Sequence, residues 1–345
     1  MWSPDEYVVN MWSPDDQDIR IIRALASPSS VQWELWTSFA NVAKQLAIDE
    51  ETVRNRLRRM NEVGFLQGWQ LILNPSMLGR EAAMVELGVS DPESKPNAIS
   101  RLRLLEGVTL IHDFYGSKLA VQTLYENAGT LERQIQLIAS LCGWPTPVWW
   151  KLCFPPCELT PTRTDWRIIQ ALRKNARGRL SDVSRSLRIS TRTVKRHVKH
   201  LVEGNAFYLD PVLDLGKVGG VRCRLWVVCE ASKKETVDQM ILSGLQRIIS
   251  THTAPQECSL FVVHCANASE VQEISQWVGK LDGVKEVRSN ITVEHIHVQE
   301  WLDGEIERRL SMLVSQPEQP FNREKSGPTL TESLGKLADP ARTAC

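Results

Sequence analysis

One long internal repeat limits what this chain can fold into more than any other feature of its sequence. The segment DIRIIRAL at residues 18–25 recurs as DWRIIQAL at residues 165–172. A basic segment that begins with threonine follows each of them, at residues 52–59 and 193–200. The period of roughly 145 residues exceeds the about 20–50 residues of a solenoid unit. The repeat therefore predicts a duplicated module of two domains.

Length and composition are those of an ordinary globular chain. The 345 residues are enough for four small domains, and 42% of them are hydrophobic and 24% charged. No apolar run reaches the roughly 18 residues that span a bilayer, and the N-terminus lacks the basic flank and apolar core of a secretory signal. Eight scattered cysteines form no disulfide framework, which favours a reducing compartment. We therefore expect a cytoplasmic protein without membrane association.

The distribution of charge is more informative than its total. The 41 basic and 41 acidic side chains cancel, which by itself argues against a nucleic-acid partner. Residues 163–203, however, contain twelve basic and three acidic side chains, a net charge of +9. The rest of the chain must be acidic by the same amount. One segment is thus a strong local cation, which favours double-stranded DNA as its partner.

Apolar spacing and turn residues divide each copy into a helical unit and a strand-rich unit. In the first copy, Ile19, Ile22 and Leu25 recur at helical spacing. A second helix is expected from Val31 or Ser38 to Leu46, and Asp49 is a suitable N-cap for the basic helix. A short β wing follows each basic helix. The expected boundaries are a leader at 1–15, winged helix-turn-helix domains at 16–79 and 158–218, strand-rich domains at 80–157 and 219–300, and a C-terminal helix with a flexible tail at 301–345.

Both strand-rich units predict the order β-α-β-β-α-β. In the first copy the pattern runs from the apolar strand at 82–89 to the strand at 147–154, and in the second from 222–229 to 284–297. This order is ferredoxin-like, with two helices on one face of an antiparallel sheet. The fold class is therefore α+β, with two winged helix-turn-helix domains alternating with two ferredoxin-like domains. The uncovered sheet faces predict self-association through the ferredoxin-like domains.

The basic helix of the second copy has the pattern of a DNA recognition helix. Val194, Val198, Leu201 and Val202 form an apolar stripe that can dock the helix, and the remaining surface is polar and basic. Such a helix fits the major groove while the preceding helix braces it across the backbone. Arginine and lysine there can pair with base edges or with phosphates. The predicted DNA contacts are Arg185, Ser190, Thr191, Arg192, Thr193, Lys195, Arg196 and Lys199.

The basic helix of the first copy has a weaker pattern. Its predicted DNA contacts are Thr52, Arg54, Asn55 and Arg58. Three acids at residues 49–51 precede them at the helix start, where a reader would approach DNA. These acids complement the helix dipole but repel phosphate, so the second copy is expected to make the stronger contact. A solvated basic helix face remains the alternative for both copies.

These motifs resemble the leucine-responsive/AsnC family of regulators, here duplicated in one chain. The resemblance lies in Asp165, Ile168, Ile169 and Leu172, in the helix that starts at Ser190, and in their counterparts in the first copy, including the wing and the segment at residues 74–79. It covers about residues 16–300. It implies sequence-specific transcriptional regulation in a prokaryote, and a single-chain counterpart of the dimer that the family usually forms. No catalytic residue, metal or cofactor is expected.

The resemblance also implies a small-molecule effector site in the ferredoxin-like domains. Many relatives bind an amino acid near a loop that carries a glycine, an aromatic residue and an aspartate. The first copy offers Asp113, Gly116 and Lys118, and lysine stands near the usual acid. The second copy keeps little of this pattern. A plain β-turn is the alternative for this loop.

Two other functions remain open from the sequence. Sirohaem decarboxylases resemble AsnC regulators but act on a tetrapyrrole, and they imply a pocket lined by histidine and arginine between the strand-rich domains. His112 lies in a suitable strand, and no wider match is evident. The second alternative is a protein–protein adaptor whose helix-turn-helix units no longer read DNA, which the acids at residues 49–51 favour for the first copy.

Scattered cysteine and histidine residues form no firm pattern. Cys142, Cys153 and Cys157 could bind zinc or respond to oxidants, but their spacing matches no established zinc motif. His295 and His297 share one strand face and could contribute to a metal or haem site. Ordinary core or surface roles explain all five more simply.

Overall fold

The computed structural model describes residues 12–26, 38–253 and 257–314. The leader up to residue 11, the segment 27–37 between the first two helices and the predicted tail at 315–345 lie outside the described residues. None of the described helices is long and apolar enough to cross a membrane.

Each copy begins with three helices and a strand, as the repeat predicts. The third helix of each unit is the basic one. In the first copy these elements are α1 (Asp16–Leu25), α2 (Phe39–Leu46), α3 (Glu50–Glu62) and β1 (Leu66–Leu73), and in the second they are α6 (Arg163–Lys174), α7 (Leu180–Leu187), α8 (Thr191–Glu203) and β6 (Phe207–Leu213).

Matching caps explain why the first helix of each unit begins where it does. The Asp15 side chain accepts from the backbone N–H of Asp18, whose own side chain accepts from the backbone N–H of Asp15. Thr162 and Asp165 form the same reciprocal capping box at the start of α6. Each box satisfies two backbone donors that a helix N-terminus would otherwise leave unpaired. The two units therefore start alike although their sequences have diverged.

The first helical unit includes residues that the sequence assigned to a leader. The Trp12 ring lies 5.7 Å from the Phe65 ring, and its backbone oxygen accepts from Gly219 at 3.1 Å. Asp15 caps α1, as described above. The unit therefore reaches back at least to residue 12 rather than starting at residue 16.

The strand-rich units both have the β-α-β-β-α-β order, which confirms the α+β class. A final helix, α11 (Glu300–Val314), follows the second unit. The elements of the first unit are β2 (Glu81–Gly88), α4 (Lys95–Leu102), β3 (Val108–Phe114), β4 (Lys118–Tyr125), α5 (Ala128–Cys142) and β5 (Val148–Leu152), and those of the second are β7 (Val221–Cys229), α9 (Lys234–Gly244), β8 (Ile248–Thr253), β9 (Cys258–Cys265), α10 (Ala268–Gly279) and β10 (Val284–His297).

The two strand-rich units form one continuous sheet. Its order is β5-β2-β4-β3-β10-β7-β9-β8, and the antiparallel pairing of β3 with β10 joins the copies. The helix-free faces of the two halves also pack together, because Met84, Phe114, Trp150, Trp226 and Leu260 form one buried cluster. The Trp150 and Trp226 rings lie 4.3 Å apart. The faces that the sequence left for a partner therefore cover each other within one chain.

Each helical unit packs against the sheet of the other copy. The wing strands β1 and β6 pair antiparallel in a separate two-stranded ribbon. This pairing places each helical unit beside the sheet strands of the other copy. Ile249 of β8 and Val262 of β9 share a buried cluster with Ile22 of α1. Leu124 of β4 shares another with Leu172 of α6. The two copies are thus interlocked rather than simply adjacent.

This crossed packing predicts a long-range effect of one core substitution. Ile249→Ala should lower the free energy of unfolding by about 2–5 kcal/mol, since it opens a cavity under the first helical unit. Hydrogen exchange should show lost protection in α1, which belongs to the other copy. Ile248→Ala is the matched control, because Ile248 is equally buried but faces the α9–α10 layer of its own copy. Lost protection in α9 or α10 instead of α1 in the Ile249 variant would contradict the crossed arrangement.

Candidate nucleic-acid interface and central cavity

The basic helix α8 is held by its apolar stripe and presents its charges to solvent. Ser190 caps it by accepting from the backbone N–H of Thr193 at 3.0 Å. Val194, Val198 and Leu201 are buried against the rest of the second unit, while Val202 is half-buried. Four predicted contacts are exposed on the outer surface of α8, namely Arg192, Lys195, Arg196 and Lys199.

The remaining predicted contacts of the second copy have different surroundings. Arg185 on α7 is exposed and pairs with Asp182 at 3.3 Å. The Thr191 hydroxyl donates to Ser184 at 3.1 Å, which braces α8 against α7, and the Thr193 hydroxyl lies 2.8 Å from that of Ser190. The two threonines are half-buried. They therefore position the helix, whereas the arginines and lysines form its charged surface.

A buried polar pair anchors α8 to the first helix of its unit. His197 lies within the buried stripe, where the sequence pattern showed only apolar residues, and its Nδ1 lies 2.7 Å from Oδ1 of Asp165. Burial alone would raise the pKa of Asp165, but hydrogen bonds with His197 and Thr162 outweigh it and hold that pKa below its ordinary value. Asp165 thus serves as both helix cap and anchor for α8.

The first copy builds the same anchor from different residues. The Arg56 guanidinium lies 2.8 Å from carboxylate oxygens of Asp15 and of Asp18. Burial raises the pKa of Asp18 despite this pairing, whereas hydrogen bonds to the two carboxylates raise the pKa of Arg56. The first copy therefore has an arginine paired with two acids where the second copy has a histidine paired with one acid.

Predicted DNA contacts in the first copy are engaged within their own unit. Arg54 pairs with Glu50, and its guanidinium lies 5.0 Å from the centre of the Phe39 ring. Arg58 donates to the side-chain oxygen of Asn55 at 2.9 Å. Thr52 is half-buried near the helix start. This helix therefore presents less free positive charge than α8.

The predicted effector loop already contains a cation. Lys95 of α4 pairs with Asp113 and donates to the backbone oxygens of Phe114 and Gly116, the latter at 2.7 Å. Gly116 has a φ of +78°, as the turn between β3 and β4 requires. Lys118 is exposed beside this turn. The amino group of a ligand would have to displace Lys95 to reach Asp113.

A cavity of about 350 Å³ lies between the β1–β6 ribbon and the helix-free face of the sheet. Residues from both copies line it, including the first helix of each helical unit. Its wall combines apolar side chains with a set of basic and histidine residues that the sequence did not bring together: His112, Arg173, Arg222, Arg224, His295 and His297.

The histidines of the cavity come from the strand pair that joins the copies. His112 of β3 is directly opposite His295 of β10, and their ring centres are 4.4 Å apart. Burial, followed by nearby arginines, lowers the pKa of His295 well below its ordinary value and that of His297 to about 4. These two rings are therefore neutral at physiological pH and act as hydrogen-bonding groups rather than cations.

The cysteines singled out in the sequence do not converge on a metal site. Cys142 is buried, and burial raises its pKa to about 11. Cys153 is exposed and Cys157 half-buried near the end of β5. Over residues 12–26, 38–253 and 257–314, no three His, Cys, Asp or Glu side chains are grouped as metal ligands would be.

Sequence comparisons find similarity to DNA-binding domains and to known regulators. A profile of winged helix-turn-helix DNA-binding domains matches residues 161–205, which contain α6, α7 and α8. The HTH-type transcriptional regulator Ptr1 of Methanocaldococcus jannaschii is 28% identical over 107 residues, which cover 31% of this chain and 68% of that protein. LrpA of Pyrococcus horikoshii is 24% identical over 115 residues, covering 33% of this chain and 77% of that regulator.

Among solved structures, the sirohaem decarboxylase NirDL has a similar fold over most of both chains. The TM-score is 0.54 at 14% identity, and the match covers 87% of this chain and 98% of NirDL. A complex of NirDL with an iron-uroporphyrin III analogue gives a TM-score of 0.51. The likeness concerns the fold, which includes both copies of the module.

The Asp165–His197 anchor predicts a specific acid sensitivity. Asp165→Asn should lower the free energy of unfolding at neutral pH by about 1.5–3 kcal/mol, because it removes a buried charged hydrogen bond. The folded-state pKa of Asp165 lies below the ordinary 3.8, so its contribution is present above that pH and is lost as the pH falls through the folded value. Urea unfolding between pH 2 and pH 7 tests this. A variant with the same acid dependence as the wild type would contradict the assignment.

Proposed function

We propose that this chain is a sequence-specific DNA-binding transcriptional regulator of the leucine-responsive/AsnC family, a proposal supported by the matches to a winged helix-turn-helix domain and to Ptr1 and LrpA. It reads the major groove mainly through its second helix-turn-helix. The observation that carries the proposal is the exposed basic face of α8. Arg192 and Lys195 on this face make no ion pair within the described chain, so both are available to an anionic partner.

The surroundings of α8 support this assignment. Residues 163–203 carry a net charge of +9, which attracts the DNA backbone to this unit. The nearby Arg185 on α7 is in a position to contact phosphate while α8 lies in the groove. The only acids in this segment are Asp165, which is buried, and Asp182 and Glu203, which pair with Arg185 and Lys199.

The two copies act together as a single-chain pseudo-dimer in this proposal. The β1–β6 ribbon and the β3–β10 pairing hold the helical units in one fixed assembly, as a dimer interface does between separate chains. The first unit contributes a weaker contact, because Arg54 pairs with Glu50, whereas Lys195 at the equivalent position of α8 forms no ion pair among the described residues. The DNA site is therefore expected to be asymmetric.

Paired substitutions at equivalent positions of the two basic helices test this division. Lys195→Ala with Lys199→Ala should weaken binding to promoter DNA at least about tenfold and reduce the salt dependence by about one unit for each lost phosphate contact. Arg54→Ala with Arg58→Ala is the matched control, since those residues occupy the same helical positions in the first copy. Fluorescence polarisation at several salt concentrations measures both effects.

The outcomes separate the possible roles of the two units. A loss confined to the second-copy variant supports the proposal. Equal losses in both variants would contradict the assignment of DNA reading to the second unit. Binding without sequence preference that neither variant changes would exclude specific regulation and favour the adaptor alternative.

A second function, decarboxylation of a sirohaem-like tetrapyrrole, is favoured by one observation. The cavity brings His112, His295 and His297 together with buried arginines, the combination that this alternative requires. NirDL, a sirohaem decarboxylase, has the same fold over both copies. The cavity of about 350 Å³ is at the lower end of the range for small-molecule sites and is narrow for a tetrapyrrole, so the ribbon would have to move to admit one.

Incubation of the full chain with sirohaem under anaerobic conditions tests this second function. Mass spectrometry of the tetrapyrrole would then show loss of carbon dioxide, and His295→Gln should abolish it while leaving DNA binding intact. Unchanged sirohaem after prolonged incubation with a chain that binds DNA would exclude this activity.

A further inference from the structure

We propose that the central cavity binds a small molecule bearing several carboxylates, and that this ligand ties the second helix-turn-helix unit to the sheet. The proposal goes beyond DNA binding, because it concerns a ligand that the chain holds whether or not DNA is present.

Two guanidinium groups are buried in the wall of the cavity. Arg222 and Arg224 are 4% and 3% exposed. In the part of the chain that the structure describes, neither forms a salt bridge within 4.0 Å, and Nε of Arg222 and both Nη atoms of Arg224 lack hydrogen-bond partners. Buried charges are strongly disfavoured unless they are paired and hydrogen-bonded. Such an arrangement of buried guanidinium groups suits the binding of an anion.

Asp210, which lines the same cavity, and Glu86 do not fully compensate for this burial. Burial lowers the pKa of Arg222 and of Arg224 to about 10, and the influence of Asp210 on the first and of Glu86 on the second offsets it only in part. Both arginines remain charged at neutral pH. The cavity therefore has positive charge that its own acids do not neutralise.

The positions of the arginines indicate more than one anionic group. Arg222 and Arg224 alternate along β7, so they point to the same face of the sheet roughly 7 Å apart. Arg173 lines the same cavity from α6, where it pairs with Asp303, and its Nη1 atom has no hydrogen-bond partner among the described residues. Guanidinium groups bind carboxylates through two parallel hydrogen bonds. Three such groups in one cavity fit a ligand with two or more carboxylates.

The rest of the wall indicates an apolar frame between those carboxylates. Leu71 and Leu73 of the ribbon, together with Leu260 and Val262 of β9, line the cavity and exclude water from its centre. His295 is neutral, and its Nε2 atom also lacks a hydrogen-bond partner among the described residues. A compact inorganic anion would leave these apolar surfaces without contact. A polycarboxylate on a carbon frame satisfies both parts of the wall.

Such a ligand would connect elements that otherwise belong to different parts of the molecule. Arg222 and Arg224 lie on the sheet, whereas Arg173 lies on the first helix of the DNA-binding unit. Arg23 of α1, from the other helical unit, also lines the cavity. Pairing of one ligand with the sheet and with α6 would fix the orientation of the second unit. Binding in the cavity is therefore coupled to the position of α8.

The first test measures binding by the full chain without DNA. Calorimetry and thermal unfolding would use benzene-1,3,5-tricarboxylate, uroporphyrin and inorganic phosphate as separate probes. We expect at least one polycarboxylate to bind and to raise Tm, and to do so at least about tenfold more tightly than phosphate. Binding of the tricarboxylate indicates a small free ligand, and binding of uroporphyrin alone indicates a tetrapyrrole as the source of the carboxylates.

A charge-removing variant gives a signature that a structural arginine would not give. Arg224→Met should raise Tm of the ligand-free chain, because an unpaired buried charge is removed, and should weaken polycarboxylate binding at least about tenfold. Arg80→Met is the matched control, since Arg80 is also buried but pairs with Glu106 and Glu126 at 2.9 Å. It should lower Tm and leave binding unchanged. Arg224→Gln, which also removes the charge, serves the same purpose if the methionine variant does not fold.

Coupling is tested by titrating DNA with and without the bound polycarboxylate. The ligand should change DNA affinity by about fivefold or more, and Arg173→Met should abolish that change. No binding of either polycarboxylate, equal binding of phosphate, or a lower ligand-free Tm for Arg224→Met would overturn the proposed site. Equal DNA affinity with and without ligand would overturn the coupling. Failure of DNA binding itself affects neither the calorimetry nor Tm, so the two proposals fail separately.

Discussion

The antiparallel pairing of β1 with β6 is the interaction on which the rest of the structure depends. A two-stranded ribbon is only marginally stable by itself, so it must bury apolar side chains against other elements. Leu71 and Leu73 of β1 and Phe207 and Leu209 of β6 do so within the cluster of the second helical unit. The same pairing carries each helical unit to the opposite sheet and places the ribbon over the inner sheet face. Without it, the interlocked packing and the roof of the cavity would both be lost.

The local elements could be predicted from the sequence because their signals are local. The apolar spacing of Ile168, Ile169 and Leu172 and the capping residue Ser190 define the second helical unit within a few dozen residues. Strand alternation likewise gave both β-α-β-β-α-β units. The crossed arrangement has no such signal, since the pairing of β3 with β10 joins segments from different copies. Neither periodicity nor turn residues specify which edge strands meet.

The set of residues that lines the cavity could not be predicted for the same reason, although one signal was present. His112 and His295 become neighbours only through the pairing of β3 with β10. Arg222 and Arg224, however, alternate along an otherwise apolar strand, and arginine is almost never fully buried unless it is paired. The predicted DNA contacts also differ in their ion pairs, which the sequence could not reveal. Residue spacing cannot show that Arg54 pairs with a neighbouring acid, whereas Lys195 forms no ion pair among the described residues. Side-chain partners decide this, and they depend on the folded helix.

Covalent linkage of the two interlocked halves has a consequence for how the protein responds to its own abundance. A regulator assembled from separate chains loses its two-unit form on dilution, and below its dissociation constant the assembled fraction falls with concentration. Here each chain already contains both helical units, the ribbon and the complete cavity. Formation of these parts within one chain therefore does not depend on the concentration of the protein. For the proposed single-chain regulator, this gives a linear, rather than cooperative, relation between expression and occupancy of its DNA site.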